Sequence, residues 1–114
     1  MHIKSFEESI AWQRAKALTV EIYTDFKECK DFSFRDQIQR AAVSIMNNIA
    51  EGWERQTDKE KKQFFFIAKG SAAEVRSMVD LAVALGYLSP EKSQKHYNNS
   101  AEIARILSGL IKSF

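Results

Sequence analysis

The fold of this 114-residue chain is decided by residues 37–52, which read QIQRAAVSIMNNIAEG. Apolar side chains recur there every three or four residues, the spacing that places them along one side of an α-helix. The stripe extends beyond both ends of the segment, and its members are Phe34, Ile38, Ala41, Ala42, Ile45, Ile49 and Trp53. The pattern predicts a helix near residues 34–55 with one buried side.

Three further segments show the same helical periodicity. The stripe of the first comprises Ala11, Ala15, Leu18, Ile22 and Phe26. The stripe of the third comprises Phe64, Ile67, Ala68, Ser71, Val75, Met78, Ala82 and Leu85. The stripe of the fourth comprises Tyr97, Ala101, Ala104, Leu107, Leu110, Ile111 and Phe114. Each stripe predicts a helix that buries one side against the others.

Capping residues mark the ends of these helices. Ser5 with Glu8 and Thr57 with Glu60 each have the spacing of a capping box, in which two side chains satisfy free backbone N–H groups. Ser33 is the predicted start of the second helix. Gly86 can adopt the left-handed conformation that ends a helix, and the pair Ser89-Pro90 is favoured where a helix begins.

These signals predict helices near residues 5–28, 34–55, 58–85 and 90–113. The chain has one proline and four glycines, too few for the many turns of a sandwich of short strands. Short connections require neighbouring helices to run antiparallel. The prediction is therefore an all-α fold, an antiparallel up-down-up-down four-helix bundle that forms a single domain over residues 1–114.

The composition narrows the classes of protein to which the chain can belong. Seventeen basic and 15 acidic residues give a net charge of +2, a balance that does not by itself indicate a nucleic-acid binder. The single cysteine, Cys29, excludes an intramolecular disulfide and suits the reducing cytoplasm. The charged N-terminal residues predict no secretory leader, and no segment reaches the roughly 20 apolar residues of a membrane span.

Residues that support catalysis or metal binding are scarce. His2 and His96 are the only histidines, and neither follows a glutamate at the Glu-x-x-His spacing of metal-binding bundles. Both are interpreted as solvated or boundary residues. Cys29 has no accompanying constellation, and no glycine-rich phosphate loop is present. We expect no enzyme activity, metal, cofactor or small-molecule substrate.

Apolar residues exceed what one bundle core needs. Val43, Met46 and Ala50 lie on a second flank of the second helix, and Phe64-Phe65-Phe66 cannot all face one core. Large exposed apolar patches are rare on monomers. We therefore predict a homo-oligomer with an interface formed by Val43, Met46, Ala50 and Phe65. Gly70 in mid-helix predicts close approach of another helix, since glycine there costs about 1 kcal/mol relative to alanine; a tolerated surface glycine is the alternative.

The two halves of the chain differ in net charge, because residues 58–114 carry nine basic and six acidic groups, whereas residues 1–57 carry eight basic and nine acidic groups. The candidates for contacts with a phosphate backbone are Arg40, Arg55, Lys59, Lys62, Lys69 and Arg76. No motif for base readout accompanies them, so such binding is expected to be sequence-tolerant and sensitive to salt. The alternative is that these residues form ion pairs with Glu51, Glu54 and Glu74.

Four segments together resemble a bacterial four-helix-bundle family, the intervening-sequence proteins of 23S ribosomal RNA. They are residues 37–52, AWQRA at residues 11–15, FIAKGSAAE at residues 66–74 and LGYL at residues 85–88. The chain departs from the family at Met46, where proline is common. The accessory variability proteins of diversity-generating retroelements are a related group.

The resemblance implies an antiparallel bundle, a ring-shaped homopentamer and no enzyme activity. The related group binds nucleic acid and a reverse transcriptase, which suggests RNA binding or a scaffold role for a nucleic-acid-processing partner. The expected function is therefore a non-enzymatic, cytoplasmic, oligomeric bundle that binds RNA or single-stranded nucleic acid. A purely structural or protein-interaction module with no role in nucleic-acid binding is the alternative.

Overall fold

The computed structural model describes residues 3–114. It contains helices α1 (Ile10–Asp25), α2 (Phe32–Glu54), α3 (Asp58–Ala84) and α4 (Pro90–Ser113), preceded by a 3-10 turn at Phe6–Glu8. No strand occurs among the described residues. Each helix packs against the next, and α1 also packs against α4, whereas α1 and α3 lie diagonally across the bundle without contact. The predicted all-α four-helix bundle is confirmed.

Contacts between α2 and α3 show that the two helices run antiparallel. Ser44 Oγ lies 2.8 Å from Ser71 Oγ. Further along α2, Gly52 meets Phe65, which comes earlier in α3. The molecule is elongated along the helix axes, with extents of 43 × 20 × 20 Å.

The predicted caps of α3 and α4 are confirmed. Thr57 Oγ1 accepts the Glu60 N–H at 3.2 Å, and Ser89 Oγ accepts the Lys92 N–H at 3.2 Å. At the end of α3, Gly86 has φ of 77° and the Tyr87 N–H bonds back to the Ala82 carbonyl at 2.8 Å, which is the Schellman arrangement. These local signals fix where α3 ends and α4 begins.

The predicted cap at Ser5 is wrong. The Ser5 side chain makes no capping bond, residues Phe6–Glu8 form the 3-10 turn, and α1 begins only at Ile10. The Glu8 carboxylate instead accepts the Lys4 N–H at 3.1 Å. The second helix also begins earlier than predicted, because Asp31 accepts the Phe34 N–H at 3.1 Å and caps α2.

The cores of α1 and α2 follow the predicted stripes. Every predicted core residue of these helices is buried except Trp53, which is partly exposed. At the start of α3 the predicted choice of core residues is wrong. Phe65 is 0% exposed, whereas Phe64 is partly exposed and Ile67 is exposed. With three consecutive phenylalanines, the sequence does not decide which ring faces the core. In the structure the Phe65 ring occupies the space beside Gly52.

The inner side of α4 is more polar than its predicted stripe. Ser93, His96 and Ser100 are buried, whereas Tyr97 is exposed. Ser93 Oγ donates to the Val79 carbonyl at 2.8 Å, and Ser100 Oγ donates to a carbonyl of α3 at 2.7 Å. Buried hydroxyl groups are tolerated because each has such a partner.

Close approach of two helices occurs at Gly52 and not at Gly70. A Cβ atom on Gly70 would meet nothing within 4 Å, so the predicted close approach at Gly70 is wrong within the subunit. A Cβ atom on Gly52 would lie 2.6 Å from Phe65 Cε1. Gly52 is therefore the residue that lets α2 and α3 pack closely around an aromatic ring.

Candidate nucleic-acid interface

Three basic residues of α3 form a line along one side of the helix. Lys62, Lys69 and Arg76 follow one another at intervals of seven residues, close to two full turns. At a rise of 1.5 Å per residue, successive members lie about 10 Å apart along the axis. Lys59 is exposed one turn before Lys62. We call Lys59, Lys62, Lys69 and Arg76 the α3 basic line.

Two exposed aromatic rings accompany the α3 basic line. Phe66 is 56% exposed, and Lys69 Nζ lies 5.7 Å from its ring centre. Tyr97 of α4 is 44% exposed, and the Arg76 guanidinium lies 6.0 Å from its ring centre. The line therefore borders α4 and alternates positive charge with aromatic surface.

The cations of the α3 basic line make no ion pair with a carboxylate of residues 3–114. Arg76 is oriented by a neutral partner, because its Nη1 donates to Ser100 Oγ at 3.3 Å. Lys61 differs from its neighbours, since its Nζ turns back to donate to the Trp53 carbonyl at 3.1 Å and caps the end of α2. The unpaired cations are therefore free to meet an anionic partner.

Arg55 lies apart from the α3 basic line. Its guanidinium pairs with Glu51 and lies 4.5 Å from the Phe64 ring centre. Pairing with Glu51 was the alternative that the sequence left open for the basic residues, and the structure confirms it for Arg55. Because Arg55 is already engaged with a carboxylate, we leave it outside the candidate surface.

Arg40 is separated from the α3 basic line by the body of α3. It lines a surface groove of about 560 Å³ between α2 and α3. Asp36 and Glu74 line the same groove, with Ser33, Gln37, Ala41 and Ser44. Two carboxylates beside one guanidinium oppose phosphate binding, so the six predicted basic residues do not form one continuous surface.

The predicted oligomer residues differ in exposure. Val43, Met46 and Ala50 are partly exposed; Met46 packs against the core, and Ala50 shares a shallow cavity with Phe6. Phe65 is completely buried within the subunit. The prediction that Phe65 belongs to a subunit interface is therefore wrong, because its ring already fills the space between α2, α3 and α4.

The sequence missed an apolar line on the outer surface of α3. Ile67, Leu81 and Leu85 are all exposed, although Ile67 and Leu85 were expected in the core. Their spacings of 14 and 18 residues return to nearly the same direction on a helix. We call these three residues the α3 apolar line; the exposed Gly70 lies near it.

His96 is a second residue that the sequence misplaced. It is 1% exposed, and its Nε2 lies 2.7 Å from Asp25 Oδ2, so the prediction of a solvated or boundary histidine is wrong. Lys92 Nζ lies 3.7 Å from the other oxygen of the Asp25 carboxylate. Asp25 ends α1, and the pair therefore joins α1 to α4.

Cys29 lies beside a polar contact that joins the start of α2 to the turn before α4. Tyr87 Oη donates to Asp31 Oδ2 at 2.7 Å. This bond, with the Phe34 N–H as a second donor, lowers the pKa of Asp31, and the same bond raises the pKa of Tyr87. The contact holds the turn before α2 against the turn before α4.

Neither metal-binding nor membrane-spanning features are found in the part of the chain that the structure describes. Among residues 3–114, no three His, Cys, Asp or Glu side chains are grouped so that they could hold a metal ion. No helix in the same range combines the length and apolarity that a membrane crossing requires. His2 lies outside the described residues.

Comparison with known proteins identifies the family. No curated protein matches the chain. A solved structure of a protein with unknown function from the S23 ribosomal protein family of Bacteroides thetaiotaomicron is similar, with 27% sequence identity and a TM-score of 0.84. The match covers 90% of this chain and 99% of that one. A family model described as 23S rRNA-intervening sequence protein matches residues 7–109. The chain thus belongs to the family of 23S rRNA-intervening sequence proteins.

Proposed function

We propose that this protein is a non-enzymatic, oligomeric helical bundle that binds RNA or other single-stranded nucleic acid through the α3 basic line. The observation that carries the proposal is the row formed by Lys62, Lys69 and Arg76. These cations lie at a regular spacing, have no carboxylate partner among the described residues and alternate with exposed aromatic rings.

Binding of this kind depends on the phosphate backbone and on salt. Each phosphate contact releases condensed counterions, so the logarithm of affinity falls by about 0.7 per contact for each tenfold rise in salt on single strands. Four cations in one subunit give a slope of about −3 on this basis. The net charge of only +2 makes the affinity of one subunit low.

Assembly of several subunits increases the affinity. The α3 apolar line offers exposed surface to a second copy, and Val43, Met46 and Ala50 add partly exposed apolar side chains on α2. The family resemblance favours a homopentamer. Repeating the α3 basic line on each subunit raises avidity by about 10²–10⁴ when one strand reaches adjacent copies. Light scattering at micromolar concentration should report an oligomer, and a monomer would contradict this part of the proposal.

A charge-reversal experiment tests the nucleic-acid surface. The test variant carries Lys59→Glu, Lys62→Glu and Lys69→Glu. The control carries three identical reversals at Lys16 in α1, which makes no contact with α3, and at Lys27 and Lys30 in the turn after α1. Lys30 lies near Gly86, at the opposite end of α3 from Lys59. The two variants have the same net charge, so a difference between them reports position alone.

Wild type and control should retain a labelled single-stranded RNA at low salt, although the control should bind more weakly because its net charge is lower. The test variant should lose retention while light scattering shows an unchanged oligomer. Equal binding by both variants would refute the α3 basic line as the site.

A protein-interaction module is the second candidate function. The α3 apolar line favours it at Leu81 and Leu85, because two neighbouring exposed apolar side chains offer a contact surface to another protein. This candidate predicts no retention of nucleic acid by wild type at low salt. Leu81→Glu, in the α3 apolar line, should change the assembly state under either candidate, so retention of nucleic acid by wild type decides between them.

A further inference from the structure

We propose that Phe66 and Tyr97 are base-stacking residues, so that this surface selects single-stranded over double-stranded nucleic acid. The proposal rests on the function proposed above and adds the basis of its selectivity. Neither ring contributes to the core. Their exposure contrasts with Phe65, the neighbour of Phe66, which is fully buried.

Each ring is paired with a cation of the α3 basic line. Lys69 lies above Phe66 and Arg76 above Tyr97, both at cation–π distance. A base that stacks on such a ring places its own phosphate close to the neighbouring positive charge. Surfaces that combine aromatic platforms with cations in this way bind single strands without sequence preference, because every base has a flat face.

The spacing of these groups suits an oligonucleotide. Phe66 and Arg76 are ten residues apart, which corresponds to about 15 Å along α3. A stacked strand advances about 3.4 Å per nucleotide, so about four nucleotides cover the axial distance from Phe66 to Arg76, the cation beside Tyr97. The cations, about 10 Å apart, match about every third phosphate. A strand of about six nucleotides therefore spans both rings.

A duplex cannot use the rings in this way. Its bases are stacked on each other, and a protein reaches only their edges and the backbone. A duplex can still contact Lys59, Lys62 and Lys69 through its phosphates. The rings therefore determine selectivity, whereas the cations contribute to binding of both forms.

The test compares variants that remove the rings but keep apolar side chains. Phe66→Leu with Tyr97→Leu is the test variant. Phe32→Leu is the control, because Phe32 is 60% exposed and Arg35 lies 4.7 Å from its ring centre, yet it stands at the start of α2 outside the α3 basic line. Fluorescence anisotropy at low salt measures binding of a labelled ten-nucleotide uridine RNA and of a ten-base-pair RNA duplex.

Wild type and the control should prefer the single strand. The test variant should lose about tenfold or more in affinity for the single strand, in line with the measured contribution of a stacked base. Its affinity for the duplex and its mass by light scattering should stay unchanged.

Other outcomes are also decisive. Equal affinity of wild type for both RNAs, or an unchanged affinity of the test variant for the single strand, overturns base stacking while the proposed function stands. A changed oligomer mass in the test variant assigns the rings to a subunit contact and also overturns it. If wild type binds neither RNA, both proposals are wrong.

Discussion

Replacing Gly52 by alanine tests the packing between α2 and α3. The added Cβ atom would lie 2.6 Å, 2.9 Å and 3.2 Å from Cε1, Cδ1 and Cζ of Phe65. The Phe65 ring cannot move away easily, because it is fully buried and packs against Trp53 and Phe114 at centroid distances of 5.3 Å and 6.1 Å. The variant therefore forces atoms of a packed core apart.

Two opposing free energies determine the result for Gly52→Ala. Overpacking costs about 1–3 kcal/mol. Alanine in place of glycine within a helix returns about 1 kcal/mol. We expect the free energy of unfolding to fall by about 1 kcal/mol, the middle of the range that these values leave.

Gly70→Ala is the matched control in α3. Gly70 is exposed and an added Cβ atom would meet nothing within 4 Å, so only the helix-propensity gain of about 1 kcal/mol remains. The two variants should differ by about 2 kcal/mol, or about 8 °C in Tm at about 4 °C per kcal/mol. Urea unfolding at one fixed protein concentration measures the difference. Stabilisation of Gly52→Ala equal to that of Gly70→Ala would refute the argument.

Further predictions concern helix caps and pH. Thr57→Ala should lower the free energy of unfolding by about 1 kcal/mol because it removes a capping acceptor, whereas Ser5→Ala, which removes no cap, should leave it unchanged in the same urea experiment. Tyr87→Phe should lower Tm at neutral pH, because the bond from Tyr87 holds the pKa of Asp31 below its ordinary value of 3.8. A carboxyl group whose pKa is lowered in the folded state stabilises the fold at pH values above its ordinary pKa. It loses this contribution as the pH falls and the folded protein is protonated at that group. The Tm difference between wild type and Tyr87→Phe should therefore shrink as pH falls below 3.8; a constant difference would contradict this explanation.

Part of the fold follows from the sequence because it depends on residues close together in the chain. The caps at Thr57 and Ser89 and the helix end at Gly86 involve partners within a few positions. The stripes of α1 and α2 are unbroken, so their buried sides could be assigned directly. The four helices, their order and their antiparallel packing were therefore predictable.

Only the tertiary structure showed which phenylalanine of α3 faces the core and which polar residues of α4 are buried. Phe64, Phe65 and Phe66 are equivalent by composition, and only the space above Gly52 selects Phe65 for the core. His96 is buried because Asp25, 71 positions earlier, supplies a hydrogen-bond partner across the bundle. Periodicity carries no information about such partners, since it describes one helix at a time.

The candidate site also follows partly from the sequence and partly from the packing of the helices. The sequence identified Lys59, Lys62, Lys69 and Arg76 as candidate basic residues, and the seven-residue spacing of the last three is enough to place them along one side of a helix. Only the packed bundle places Tyr97 of α4 beside Arg76 and sets Arg40 in a groove with carboxylates on the other side of α3. Local spacing determines which residues share a helix side, whereas the neighbours of that side depend on how separate helices pack, which no local pattern encodes.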